Sequence, residues 1–316
     1  MIGYIIRRLI VAVFVVIGIA VITFLLLHLL SSSPAQIVLG PKASPLALAQ
    51  WNKSHGYDRP LIVQMVSYVW NIFHGNLGYS YKEGQSVAAL FKEDFGRSAY
   101  LSGASLVLSV VIAIPIGIAQ AVRRNSIGDY TATAVTFTLY SMPSFFLGLI
   151  LIQLFALDTH IFQPEVNDSV QSTWAAIIAP RQLILPIVTL TAINVASYSR
   201  YMRSSALDNM AQDYIRLARA KGLSQRAVLF KHLLRNACLP MVTLIGLSIP
   251  ALVAGNLLIE TLFNYPGLGL LFYNALGTED YPILLAYTIF GGALTVLGNL
   301  IADVAVTVAD PRIRID

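Results

Sequence analysis

The chain is poor in charge and almost free of cysteine. Only 12% of its 316 residues are Asp, Glu, Lys or Arg, and 56% are hydrophobic. Soluble domains carry about 25% charged residues. Half that share, with a mean hydropathy of +0.69, excludes an ordinary soluble domain and points to an integral membrane protein. Cys238 is the single cysteine, so an internal disulfide and a thiolate metal site are both excluded. The residue reads as a small apolar filler. The five histidines, His28, His55, His74, His160 and His232, are scattered without metal-ligand spacing. There is no G-x-x-x-x-G-K-S/T run to cradle a nucleotide, no H-E-x-x-H and no G-x-S-x-G. No cofactor and no catalytic residue are expected in this chain. Carboxylates spaced through the middle of the apolar runs, as a proton relay would need, are missing too. Internal repeats are not visible. A pI near 9.3 without basic–aromatic interleaving gives no reason to expect nucleic acid.

What the chain does have is long apolar runs. A membrane-crossing helix needs about 20 such residues. On that basis six spans are expected, over Leu9–Leu30, Leu101–Val122, Tyr130–Leu157, Leu183–Met202, Leu239–Ile259 and Ile283–Val308. The first is too long for a cleaved signal and reads as a retained anchor. Fourteen of the 21 Lys and Arg fall on one side of this arrangement: Arg7, Arg8, Arg123, Arg124, eight between Arg200 and Arg235, Arg312 and Arg314. Lys and Arg concentrate on the cytoplasmic side. An all-α multi-pass protein of the cytoplasmic (inner) cell membrane follows, with both termini cytoplasmic.

The expected division is 1–98, an N-terminal span plus a structured external segment, and 99–316, a core of five spans. In the external segment, Pro60 precedes a helix whose Leu61, Met65, Tyr68, Val69 and Ile72 share one face. It reads as a helix on the bundle or in the membrane interface, with Tyr68 and Trp70 at headgroup level. The spans also hold breaks and polar positions. Pro143 and Pro250 interrupt helices, Thr189, Asn194 and Ser197 stud the fourth span, and Asn256 lies late in the fifth. These six residues are the candidate lining of a translocation path, since broken helices mark such routes; polar glue between helices is the competing reading for the hydroxyls. His28, Asp303 and Glu260 lie near span ends, where a structural partner is the cheaper role.

Between the fourth and fifth spans lies a polar stretch, 203–237, with too much order for a simple turn. Asp213-Tyr214-Ile215-Arg216-Leu217-Ala218-Arg219-Ala220-Lys221-Gly222-Leu223 reads as a short capped helix. Asp213 is the expected N-cap, Gly222 the αL C-cap, and Arg219 and Lys221 suit the last turn. Ser224 starts a second helix, Gln225 to Arg235. Ile215 and Ala218 form a small apolar knob flanked by cations, which suits a groove on another protein.

That segment, followed by His232-Leu-Leu-Arg-Asn-Ala237 and Leu239-Pro240, resembles the coupling loop of ABC-importer permeases, most of all the dipeptide/oligopeptide/nickel branch. The likeness extends over nearly the whole chain: Tyr4-Ile-Ile-Arg-Arg8, Tyr57-Asp-Arg-Pro-Leu61, Gly75-Asn-Leu-Gly78, Met142-Pro-Ser-Phe-Phe-Leu-Gly148, Glu260-Thr-Leu-Phe-Asn-Tyr-Pro-Gly-Leu-Gly269, Asp280-Tyr-Pro282 and Asp310-Pro-Arg-Ile-Arg314. The resemblance implies a type I importer: a second homologous permease, two ABC ATPase subunits that bind ATP and Mg, an extracytoplasmic substrate-binding protein, and surrounding lipid. The segment Asp213, Tyr214, Ile215, Arg216, Ala218, Arg219, Lys221, Gly222 and Leu223 would then dock on an ATPase. The broad importer signature has Glu-Ala-Ala where this chain has Arg216-Leu217-Ala218, and a proline where it has Arg235, so no acidic pairing with the ATPase is expected. Import of peptides or a related small solute is the implied function. A secondary transporter or channel independent of ATP is the alternative, and a purely structural membrane protein a third; neither needs a capped cytoplasmic helix.

Overall fold

The computed structural model describes residues 2–30, 33–167, 170, 172–254 and 256–309, with backbone alone at 2–5, 30, 250–254 and 305–309. The helices are α1 (Ile2–Leu30), α2 (Pro34–Leu39), α3 (Pro45–His55), α4 (Leu61–Phe73), α5 (Val87–Val122) and α6 (Ile127–Ser141). Then come α7 (Ser144–Asp158), α8 (Thr173–Ile178), α9 (Pro180–Met210), α10 (Asp213–Ala220) and α11 (Gln225–Ala237). The last four are α12 (Leu239–Ala254), α13 (Leu257–Leu262), α14 (Leu268–Thr278) and α15 (Tyr281–Ala309). A two-stranded antiparallel hairpin, β1 (Tyr79–Ser80) and β2 (Gln85–Ser86), pairs Tyr79 with Ser86.

Among the described residues, four helices are long and apolar enough to cross a membrane: α1, α5, α9 and α15. Two bent pairs raise the number to six if each counts once, α6–α7 with a 104° bend and α11–α12 with a 44° bend. The interruption expected at Pro143 within the third span, Tyr130–Leu157, is present: two helices meet there, with Pro143 the N-cap of α7. Proline supplies no N–H and its ring blocks the preceding turn. The Met142 N–H takes the Leu139 carbonyl at 3.3 Å, and the Ser141 hydroxyl donates to the Phe137 carbonyl at 2.9 Å. The break expected at Pro250 is displaced: α12 runs through position 250 and α13 starts only at Leu257, capped by Asn256. The second long helix begins at Val87, so the last residues of the expected external segment, 87–98, are already helical and continuous with the second span.

α5 and α9 form the most extensively packed pair, and α12 lies along α15. Between apolar helices in lipid, close approach and polar contacts replace the hydrophobic drive. The seam is built accordingly. A Cβ on Gly117 would stand 2.7 Å from the Ser199 carbonyl oxygen and 2.9 Å from the Arg203 nitrogen. Ser109 donates to the Ser105 carbonyl at 2.5 Å and the Thr191 carbonyl at 3.3 Å. Likewise a Cβ on Gly246 would come within 2.7 Å of Ala302 Cα, where α12 crosses α15. Gly117→Leu is therefore expected to destabilise the bundle by about 1–3 kcal/mol, the usual range for overpacking. Gly103→Leu, where a Cβ meets open space, serves as control. Melting curves in detergent check this: equal midpoints for the two variants would contradict the seam.

α4 packs as its periodicity requires. Leu61, Met65, Tyr68, Val69 and Ile72 are partly covered, while Ile62, Val66, Trp70 and Phe73 are exposed. The Tyr68 ring stacks on Phe24 of α1, 6.0 Å between centroids. Trp70 does project from the bundle. His28 also stacks on Phe24, and Asp303 pairs with Arg8 at 2.8 Å, joining α15 to α1.

Candidate functional site

The 203–237 loop divides differently from its sequence reading. Arg203 to Met210 continue α9, and α10 follows after Ala211 and Gln212. Gln212, with extended φ/ψ, occupies the N-cap, and Asp213 is already the first helical residue. The expected Asp213 cap is thereby corrected; its carboxylate still lies in the first turn, where the helix dipole favours it. The 3.5 Å pair Asp213–Arg216 is solvent-exposed and counts for little. The C-terminus matches expectation. Gly222 has φ +74°, its N–H donates to the Arg219 carbonyl at 3.0 Å, and the Leu223 N–H donates to the Ala218 carbonyl at 3.3 Å. Those two bonds form a Schellman motif. Ser224 then caps α11 by accepting the Ala227 N–H at 3.4 Å.

Ile215 and Ala218 do not project. They are 0% and 5% exposed and belong to a core with Met202, Ala206, Val228, Leu233 and Met241. Sequence periodicity finds an apolar face on a helix but not what covers it; here α9 and α11 of the same chain cover it. The exposed face carries Arg216, Leu217, Arg219, Lys221 and Leu223, with Phe230 of α11 also exposed. Tyr214 is partly buried and its hydroxyl donates to Asn209 Oδ1 at 2.8 Å. Leu217 and Phe230 escaped the sequence reading. The visible signal was their place two residues from each buried position: Leu217 after Ile215, Phe230 after Val228.

Two polar anchors tie this loop to the spans. Ser205 donates to the Ala237 carbonyl at 2.9 Å, joining α9 to the end of α11. Arg203 grips Asp129 of α6 with a fork, Nε to Oδ1 and the terminal nitrogen to Oδ2, each 2.8 Å. The Asn125 N–H adds a third bond to Asp129 at 3.0 Å.

The candidate path residues are spread over α9, α12 and the starts of α7 and α13. Thr189 is fully buried, its hydroxyl donating to the Leu185 carbonyl at 2.7 Å. Asn194 and Ser197 are only partly covered on α9. Pro143 forms the α6–α7 break and Asn256 caps α13. The side chain of Pro250 lies outside the described residues, as does the 310–314 motif.

At the opposite end of the bundle from the loop stands Glu260, 0% exposed. Its Oε1 accepts the Ser98 hydroxyl at 2.8 Å and the Asn256 N–H at 3.1 Å. Its Oε2 accepts the N–H groups of Gly269 at 2.7 Å and Leu270 at 3.3 Å. Burial pushes this carboxyl above the ordinary range, and the four donors oppose that shift. Among the described residues no group of His, Cys, Asp and Glu is arranged to hold a metal.

The segment thus combines a capped amphipathic helix with polar ties among α6, α9 and α11. Comparison with known proteins identifies the family. The family described as "Binding-protein-dependent transport system inner membrane component" matches residues 113–315, and its N-terminal companion matches 1–102. The chain belongs to this family. It is a permease subunit of an importer driven by ATP, not an enzyme. Over 315 residues the permease is 35% identical to the oligopeptide transport system permease protein AppB of Bacillus subtilis, covering 99% of this chain and 100% of that one. It is 36% identical to the dipeptide transport system permease protein DppB of Escherichia coli K12, covering 99% of each. To the glutathione transport system permease protein GsiC of Salmonella choleraesuis it is 34% identical, again covering 99% of each. The break between the two family matches, 102 to 113, falls inside α5.

Proposed function

We propose that this permease imports peptides, pairing with a second permease, two ATPase subunits and an external binding protein. In this reading it crosses the membrane six times, each bent helix pair counting once, with both termini cytoplasmic. The observation that carries the substrate class is full-length similarity to oligopeptide, dipeptide and glutathione permeases. ATP and Mg belong to the ATPases. Arg216, Leu217, Arg219, Lys221, Leu223 and Phe230 present an apolar patch ringed by cations, suited to a groove with acidic edges. Ile215 and Ala218 support that surface from beneath. Deleting the chain in its native cell should abolish uptake of labelled di- and oligopeptides; unchanged uptake would sink the substrate assignment.

The docking surface has its own test. Leu217→Asp replaces an exposed side chain and leaves the core intact, so assembly in the membrane should be normal. Transport-coupled ATP hydrolysis should fall by about tenfold or more, as expected for loss of a central interface contact. Wild-type coupling in this variant would move the ATPase contact elsewhere. Ala218→Asp, by contrast, puts a charge into the core and should reduce the amount of folded protein.

A further inference from the structure

One cavity has no part in the coupling just described. It lies among α2, α3, the hairpin and the turn from α14 to α15, and is lined by Val38, Trp51, Tyr57, Tyr81, Lys82 and Asp280 among others. Its volume is about 30 Å³, room for a group the size of a water molecule or an ammonium, not for a whole peptide. Asp280 is 5% exposed. Its Oδ2 accepts the Ser80 hydroxyl at 2.5 Å. Its Oδ1 is buried and has no hydrogen-bond partner among the described residues. Burial pushes the Asp280 carboxyl up, and the Ser80 hydroxyl, the Ile283 N–H and the Lys82 charge oppose that shift; Oδ1 still has room for one more donor.

The walls favour positive charge. Trp51 and Tyr57 stack at 5.5 Å, and Tyr81 meets Trp51 edge-on at 5.6 Å. Burial pushes the Tyr57 hydroxyl up, with Tyr81, Tyr281 and Asp280 adding to the shift. Glu279 adds a second carboxylate to the lining, against one lining cation, the exposed Lys82.

We propose that this cavity is a subsite for a primary ammonium group, donating to Asp280 Oδ1 and seated among Trp51, Tyr57 and Tyr81. Such a group brings three donors and one positive charge, and aromatic rings attract cations. A bare divalent ion suits the site less, since hard cations take six or more oxygen ligands. Two sources supply the chemistry: the amino terminus of a peptide and the headgroup of phosphatidylethanolamine. The peptide source rests on the import reading above and on this end of the bundle facing outward.

The test uses the full chain in nanodiscs with Trp70→Phe and Trp174→Phe, both exposed positions, leaving Trp51 as the sole tryptophan. Trp51 emission is titrated with ethylammonium, with dialanine and with N-acetyl-dialanine, in phosphatidylcholine discs and in discs containing phosphatidylethanolamine. A saturable response to ethylammonium and dialanine but not to the acetylated peptide supports the site with a peptide source. A response that instead follows phosphatidylethanolamine supports it with a lipid source. Asp280→Asn should weaken either response about tenfold or more, the scale of losing a hydrogen bond to a charged group. Val38→Phe, which fills the cavity and keeps the carboxylate, should abolish it and covers the case in which Asp280→Asn fails to fold. No response to any ammonium source, or equal responses in wild type and both variants, overturns the proposal. Because the readout is binding, that failure leaves peptide uptake untested and intact; loss of the peptide assignment in uptake assays would in turn leave ethylammonium binding standing.

Discussion

Glu260→Ala is expected to destabilise the permease by about 3–5 kcal/mol, the scale seen when a buried charged network loses its centre. Four donors converge on this carboxylate from α5, from the residue before α13 and from the first turn of α14. Removing it leaves all four buried without an acceptor. Gly267 and Gly269 are shaped to it: a Cβ on the first would lie 2.6 Å from Glu260 Oε2, and on the second 2.9 Å. Tyr265 closes the knot by donating to the Arg97 carbonyl at 2.8 Å, and the Leu268 N–H donates to Ser98 Oγ at 2.9 Å. Glu260→Gln should be milder, because one amide oxygen still accepts while its NH2 meets a donor. Thermal melting and protease resistance of the purified chain rank the variants; alanine no worse than glutamine would show that the carboxylate does not hold this end together.

Arg203→Ala should cost about 3 kcal/mol, since the buried Asp129 charge is left without its partner; Asp129→Ala should cost less, because the freed guanidinium can reach solvent. The Asp129 side chain is 2% exposed and that of Arg203 28%. The exchange Asp129→Arg with Arg203→Asp restores the charges but not the Asn125 contact, so rescue should be partial. A double-mutant cycle on melting free energy isolates the pair. Coupling near zero would mean that α6 and α9 are held by packing alone. The pair lies beside the loop that follows α9, so weak singles that still fold should also transport poorly, and the exchange should recover part of that loss.

The sequence by itself determined the class of protein, because composition and apolar run length are enough to demand a membrane. It also determined the short helix α10, whose terminating glycine, Gly222, takes the left-handed conformation its position requires. The inward face of α4 was legible from periodicity for the same reason: one helix laid against one surface. What the sequence left undecided was which of two faces of a short helix is covered. Leu217 and Ile215 are equally apolar, and only the presence of α9 and α11 beside α10 turns Ile215 inward and leaves Leu217 out. Long-range pairs were equally illegible. Ser98 with Glu260, Asp129 with Arg203 and Ser80 with Asp280 stand 162, 74 and 200 residues apart, and no local pattern names a partner at such distances. The hydroxyls of α9 marked a seam or a path in the sequence. Tertiary packing against α5 made Thr191 part of a seam, its hydroxyl donating to the Ser105 carbonyl at 3.4 Å while Ser109 donates to the Thr191 carbonyl at 3.3 Å, because small residues let two helix backbones approach that closely.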